Sequence, residues 1–230
     1  MTRPSLPVLY EDNHLLVVAK EAGVPVVPDA SGDPSMLEMA KAWVKVRYQK
    51  PGEVFLGVVH RLDRPVSGVL LFARTSKAAS RLTQQWRQGE VRKCYWGIVE
   101  GVPGQTEGEV RHWLYKDRRK NIVEVVSAER EGAKLACTRW RLQQQKKARA
   151  LLHLEPVTGR SHQLRLACRS LGTPLLGDLK YGAGEALKDR SLALHACALS
   201  LQHPTKGETM TFECPPPDKP WWREFCSTTL

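Results

Sequence analysis

The sequence predicts an α+β fold: a mixed, mostly antiparallel β-sheet with a few flanking helices. Two observations carry this. Strand-like runs follow one another through short turns, most clearly from Val91 to about Glu155. Helical periodicity occurs in three places only, whereas a doubly wound parallel sheet needs a helix after nearly every strand. No repeat, low-complexity linker or composition break divides the 230 residues. One domain, 1–230, is therefore expected.

The elements follow in order. Leu15–Ala19 is an unbroken apolar run after Glu11-Asp12-Asn13 and predicts a strand. Asp33 before Pro34 predicts a helix N-cap with proline at the first helical position. Met36, Leu37, Ala40, Trp43 and Val44 share one helical face, and Pro51-Gly52 ends it. Phe55–Val59 and Val69–Ala73 read as strands around a polar insert, His60 to Gly68. Ser76 is the expected cap of a helix carrying Ala79, Leu82 and Trp86 on one face and closed by Gly89. Strands are expected at Val91–Val99, Glu109–Tyr115, Ile122–Val126, Cys137–Leu142 and Leu151–Glu155. A third helix should run from about Ser161 to Leu171, where Gly172 stops it. Strands at Ala193–Leu201 and Glu208–Phe212 lead to Pro215-Pro216-Pro217. Trp221, Trp222 and Phe225 beyond it should dock on the body, because such bulky apolar groups are rarely left in water.

Composition narrows the function. There are 35 Lys+Arg against 24 Asp+Glu, a net +11 with histidine neutral, and this favours a polyanionic partner, nucleic acid first. A hydrophobic fraction of 42% is enough for a core and argues against a disordered chain. No run approaches the ~18 apolar residues of a membrane span. Met1 to Pro7 lacks the apolar stretch of a signal peptide, so a cytoplasmic protein with no membrane partner is expected. The six cysteines are scattered, with no Cys-x-x-Cys, no short-spaced Cys/His cluster and no His-x-x-x-His. Neither disulfides nor a structural metal is expected.

Three segments carry chemistry. In His60-Arg61-Leu62-Asp63-Arg64-Pro65-Val66-Ser67-Gly68, Asp63 has Arg61 and Arg64 close by. Cationic neighbours keep a carboxylate ionised, ready to act as nucleophile, general base or metal ligand. The same residues would also make a turn held by an Arg–Asp ion pair. In Val91 to Gly101, alternation puts Lys93, Tyr95, Gly97 and Val99 on one face, and Cys94, Trp96 and Ile98 on the other. Trp96 and Ile98 read as core. Tyr95 is left on a face where a flat ligand could approach beside Gly97, or where the ring could simply pack across strands. In Glu155 to Arg165, the turn Thr158-Gly159 opens a helix whose N-terminus could bind an anion. On that helix Ser161, His162 and Arg165 would share a face. A basic, solvated helix with a hydroxyl cap fits the residues equally well.

Together these segments resemble the RluA-type pseudouridine synthase family. The family's His-Arg-Leu-Asp signature, two variable residues and Thr-Ser-Gly correspond to His60–Gly68, and its Gly-Arg-(Thr/Ser)-His-Gln-Leu-Arg signature to Gly159–Arg165. Lys93-x-Tyr95-x-Gly97 sits where the family has its Lys-x-Tyr strand, and Lys20-Glu21-Ala22-Gly23 resembles its Lys-Pro-x-Gly turn. Leu175-Leu176-Gly177-Asp178, Tyr181-Gly182 and Leu194-His195-Ala196 also fit, so the resemblance covers about Val8 to Phe212.

The resemblance implies an isomerase that converts uridine in structured ribosomal or transfer RNA to pseudouridine. It breaks the N1–C1′ bond, rotates the base and rejoins C1′ to C5, without a cofactor. Asp63 would be the catalytic aspartate at C1′, Tyr95 would stack on the base and move the C2′ proton, and Arg165 would pair with Asp63. Arg61 would enter the RNA where the flipped nucleotide leaves. His60, Arg64, Lys93, Arg160, His162 and Gln163 complete the expected substrate-binding set. Base chemistry needs extrusion from the stack, a π-face and positive charge for phosphates, and these residue types supply them.

Four positions depart from the family pattern: Val66 for threonine, Glu21 for proline, and Leu166-Ala167 for a common Val-His pair. No room is left for the N-terminal S4-type RNA-binding domain that many members carry, so recognition is expected from the catalytic domain alone, acting as a monomer without an obligate protein partner. Arg118, Arg119, Lys120, Lys146, Lys147, Arg149, Arg160 and Arg169 are candidate phosphate contacts. A pure RNA-binding module would share the basic surface but needs no carboxylate facing phosphates. A metal-assisted nuclease using Asp63 with His60 or His162 would need further carboxylates, and Glu155 and Asp178 lie far along the chain.

Overall fold

A computed structural model describes residues 6–117 and 119–226, with the backbone alone at Cys226. Its elements are β1 (Val8–Glu11), β2 (Leu15–Lys20), α1 (Met36–Arg47), β3 (Gly57–Val58), β4 (Ser67–Ala73), α2 (Ser76–Gln88), β5 (Arg92–Glu100) and β6 (Glu107–Asp117). They continue with β7 (Ile122–Val126), β8 (Lys134–Lys146), β9 (Arg149–Pro156), α3 (Gln163–Ser170), β10 (Leu194–Gln202), β11 (Thr209–Glu213) and α4 (Pro220–Cys226), with a 3-10 turn at Leu179–Tyr181. The fold is α+β with a mixed, mostly antiparallel sheet and few helices, as the strand-rich pattern predicts. The described residues form two compact units, 6–92 with 196–216 and 93–195 with 217–226.

In the first unit, β2 lies between β1 and β4, β4 neighbours β10, and β11 pairs with β10. The β1–β2 turn is shaped by Asp12, whose carboxylate accepts from the amides of His14 and Leu15 at 2.7 Å each. Every residue of β4 is buried, as expected of a strand covered on both faces. Leu15, Val17, Val69 and Leu71 pack with Ala78 and Leu82 of α2 and with Leu199, Leu201 and Phe212. Each large side chain buried in this way contributes roughly 1.5–3 kcal/mol.

Several boundaries differ from the sequence expectation. Ser35, not Asp33, caps α1: its hydroxyl accepts from the Glu38 amide while the Glu38 carboxylate accepts from the Ser35 amide. This reciprocal box satisfies two end donors and outcompetes a lone aspartate, and Asp33 instead pairs with Arg64. Thr75, not Ser76, caps α2, and Gly89 closes it in the left-handed region at φ 73°. The run Phe55–Val59 yields only the two-residue β3, and Phe55 is exposed.

In the second unit the strand order is β5-β9-β8-β6-β7, with antiparallel neighbours throughout. Leu166 of α3 packs with Leu114, Val123, Ala136 and Tyr181. The third helix starts two residues later than expected: α3 begins at Gln163, and His162 precedes it in the left-handed region at φ 53°. Ser161 and His162 therefore stand outside the helix, and the shared helical face expected for Ser161, His162 and Arg165 does not exist. The tail docks as expected, through α4: Trp222 and Phe225 are buried with Ile98, Leu151, Leu176 and Ala193.

Candidate active site

Asp63 lies in the loop between β3 and β4 of the first unit, and the loop is tied down from beneath. The Val66 amide donates to the Asp63 carbonyl at 3.0 Å, closing a turn. The Lys20 ammonium, at the end of β2 and only 2% exposed, donates to the carbonyls of Glu21 (2.9 Å), Arg64 (3.0 Å) and Val66 (2.7 Å). Burial pushes the Lys20 ammonium down to about 7, against the attraction of the Asp63 carboxylate and with the repulsion of Arg64. One buried cation thus ties the chain immediately after Asp63 to the end of β2. In the sequence Lys20 shows only as part of a turn motif, because three carbonyl acceptors leave no trace there.

Arg64 fastens the outer side of the loop. Its Nε donates to the Gly23 carbonyl at 2.8 Å, the Gly23 amide donates back to the Arg64 carbonyl at 2.8 Å, and its guanidinium pairs with Asp33 and Asp29. His60 stacks on Trp86 with centroids 5.0 Å apart and accepts from the Leu71 amide at 3.0 Å. Gly68 ends the loop at φ 122°, where an added Cβ would lie 2.3 Å from the Ala196 carbonyl oxygen, so only glycine fits. Leu62 and Val66 are buried, Asp63 is half-buried and Arg61 is exposed.

In the second unit Tyr95 stands on β5 opposite Leu154 of β9. The expected ligand approach over Gly97 is not available: an added Cβ there would meet Leu175 at 2.9 Å and Leu154 at 3.0 Å, so this glycine accommodates core packing. The Lys93 ammonium donates to the Thr158 carbonyl at 3.3 Å, and burial pushes it below the usual lysine range.

The segment Thr158–Arg165 is a hydrogen-bonded knot. The Thr158 hydroxyl accepts from the Cys137 amide at 2.9 Å and donates to Gln163 Oε1 at 2.6 Å. Gln163 also accepts from the Arg160 amide at 3.0 Å and donates to the Cys137 carbonyl (2.8 Å) and the Thr138 hydroxyl (3.0 Å). Arg160 Nε donates to the Leu135 carbonyl at 3.0 Å. His162 Nδ1 and the Tyr181 hydroxyl lie 2.6 Å apart.

Arg165, buried, is gripped by buried Asp178 through a two-pronged pair, Nε to Oδ2 at 2.7 Å and Nη2 to Oδ1 at 2.5 Å, and lies 4.8 Å over the Tyr181 ring. A guanidinium has five N–H groups, so this fork does not exhaust its donors. Asp178 and Tyr181 are the members of the network that residue-by-residue reading missed. Their only sequence signal was a place in a family pattern.

Among the candidate phosphate contacts, Lys146 donates to the Glu224 carbonyl and Arg149 pairs with the Glu224 carboxylate, so both hold α4. Arg119, Lys120, Lys147, Arg160 and Arg169 are exposed, and Arg118 lies outside the described residues.

The sheet, the clamped aspartate loop and the Gly-Arg-Ser-His-Gln-Leu-Arg knot define an RNA-modifying enzyme of the pseudouridine synthase class. Residues 14–170 match the RNA pseudouridylate synthase family, and the chain belongs to it as an isomerase of the RluA type. It is 36% identical over 213 residues to the dual-specificity RNA pseudouridine synthase RluA of Haemophilus influenzae, covering 91% of this chain and 92% of that one. The Salmonella typhimurium protein of the same name is 38% identical over 216 residues, covering 92% and 94%. The solved structure of human RNA Pseudouridylate Synthase Domain Containing 4 superimposes with a TM-score of 0.77 at 27% identity, covering 92% of this chain and 89% of that one.

Proposed function

We propose that the chain isomerises a specific uridine of structured ribosomal or transfer RNA, with Asp63, Tyr95 and Arg165 as its catalytic residues and the two units working as one domain. The observation that carries this reading is the Lys20 clamp, which holds the backbone immediately after Asp63 through the Arg64 and Val66 carbonyls. A catalytic carboxylate must meet C1′ of a flipped nucleotide within a fraction of an ångström, and a loop held this way meets that demand. Asp63 attacks or stabilises C1′ as the N1–C1′ bond breaks, and Tyr95 receives the base on its π-face and moves the C2′ proton; C5 of the rotated base then bonds to C1′, a proton returns to C2′, and C5 gives up its own proton. Arg165, held by Asp178, is the third catalytic residue of this reading.

Arg61, exposed beside Asp63, enters the RNA in place of the flipped nucleotide. Arg64, His60, Lys93, Arg160, His162 and Gln163 act mainly by shaping the site, since each has a protein partner. The relatives named for dual specificity support more than one RNA substrate for this chain as well. Among the described residues no helix is long and apolar enough to cross a membrane, and we place the enzyme in the cytoplasm as a monomer. The test is pseudouridine mapping on total RNA treated with purified protein. Wild type should modify discrete uridines without added metal, and Asp63→Asn should bind RNA but modify none. Full activity in Asp63→Asn would sink the assignment.

A further inference from the structure

Strand β5 presents two chemistries. Tyr95 points to one face, and Cys94, one residue earlier, to the other. In register Tyr95 lies opposite Leu154 and Trp96 opposite His153, so His153 and Glu155 of β9 emerge on the Cys94 face. There the Cys94 thiol, an imidazole nitrogen of His153 and a carboxylate oxygen of Glu155 all lie within 4.8 Å of one another. His153 Nδ1 is 3.5 Å from Glu155 Oε1. Nitrogen and oxygen ligands ~2.0–2.1 Å from a tetrahedral zinc ion stand about 3.3 Å apart, and a thiolate and a nitrogen about 3.6 Å. The three donors therefore reach ligand spacing by side-chain rotation on a fixed pair of strands.

We propose that Cys94, His153 and Glu155 form a binding site for a thiophilic divalent cation, with Zn²⁺ the best match to a sulfur, nitrogen and oxygen donor set. Two guanidiniums stand next to it, Arg139 opposite Glu155 and Arg141 opposite His153. Alone they would repel a cation, but each is paired with a carboxylate of β6, Arg139 with Glu109 at 3.2 Å and Arg141 with Glu107 at 3.1 Å. These ion pairs draw the guanidinium charge toward β6. A cavity of about 440 Å³, lined by Glu107, Glu109, Arg139, Arg141, His153 and Glu155, opens on the same face and leaves room for water or a small anion as fourth ligand. The bound ion would link β5 to β9 behind Tyr95. No short ligand spacing announces this site in the sequence, where no metal was expected; strand register alone brings the ligands together.

The test needs no RNA. Purified full-length protein is titrated with Zn²⁺ against a chromophoric chelator, and with Co²⁺ while the thiolate-to-cobalt charge-transfer band is followed. One equivalent should bind, with the band present. Cys94→Ser and His153→Gln should each weaken Zn²⁺ about 100-fold or more, exceeding the 10–100-fold typical of lost outer-shell partners. Cys137→Ser, whose thiol is outside the triad, should bind as wild type does. His153 is half-buried at the surface, so its glutamine variant keeps the test decisive should Cys94→Ser misfold, with folding checked by circular dichroism. No stoichiometric binding, an unchanged band in folded Cys94→Ser or His153→Gln, or a band lost in Cys137→Ser would overturn the site.

Discussion

Replacing Lys20 by methionine keeps the length and bulk of the side chain and removes only the ammonium. Three carbonyls, those of Glu21, Arg64 and Val66, then lose a donor now 2.7–3.0 Å away. A buried acceptor left unsatisfied costs about 1–3 kcal/mol. Taking the low end, because the ammonium's own desolvation is relieved, gives roughly 3 kcal/mol of lost stability at pH 7.

The pH dependence has a definite sign. Burial lowers Lys20 from 10.5 to about 7 in the folded protein. Between those values the unfolded chain holds a proton that the folded chain has released, so this group makes stability rise with pH through that window. At 1.36 kcal/mol per pKa unit, two units give roughly 2.7 kcal/mol between pH 7 and pH 9. Urea denaturation of wild type and Lys20→Met at both pH values isolates the contribution, because all other titrating groups cancel in the difference. Wild type should exceed the variant by about 3 kcal/mol at pH 7 and by about twice that at pH 9. In RNA assays the variant should lose kcat by about 100-fold with little change in KM, since a loop displaced by ~1 Å misplaces Asp63 without removing RNA contacts. A variant as stable as wild type, or a gap that narrows toward pH 9, would refute the clamp.

Three further outcomes are expected. Asp178→Ala removes one partner of a buried pair and should cost about 3–5 kcal/mol by denaturant titration, while Asp178→Asn, which keeps the shape, should lose kcat more than stability. Gly68→Ala forces a Cβ against the Ala196 backbone at φ 122° and should destabilise by more than about 3 kcal/mol or prevent folding, read by thermal melting. Asp12 is held down to about 2, burial being outweighed by the His14 and Leu15 amides and by His203 and Tyr10. A depressed carboxylate stabilises above its unfolded value of 3.8 and loses that contribution as pH falls toward 2, so wild type should lose about 1 kcal/mol more than Asp12→Asn across that acid range, discounted for exposure.

What was legible in the sequence was whatever a period or a fixed spacing encodes. Alternation located β5 and put Ile98 in the core, and the apolar run at Val69–Ala73 announced β4. Competition among several good caps was not legible: Asp33, Ser35, Thr75 and Ser76 are all acceptable N-caps, and reciprocal bonding to Glu38 or simple geometry decides among them. The start of α3 was missed because His162 adopts a left-handed backbone that its residue type does not advertise. At the site, Asp63 and Arg165 were visible as types in motifs. Lys20 and Asp178 also stood in motifs, but their roles did not show there, because those roles depend on partners 44–46 and 13 residues away that only the fold supplies.

The same distinction changes the meaning of the net +11. A formal count treats every Lys and Arg as available to phosphates, yet many are engaged within the protein. Lys20 and Arg64 hold the aspartate loop, Arg165 is gripped by Asp178, Lys146 and Arg149 hold α4, and Arg139 and Arg141 pair with Glu109 and Glu107. Salt dependence of RNA binding counts phosphates neutralised, with a slope near −0.9 per contact on duplex and less on single strands. Substituting an internally engaged arginine such as Arg149 should leave that slope unchanged even where stability falls. Substituting exposed Arg61, Arg119 or Lys120 should reduce it by about one each. Equal slopes across both groups would mean that internal pairing does not decide which cations meet the RNA.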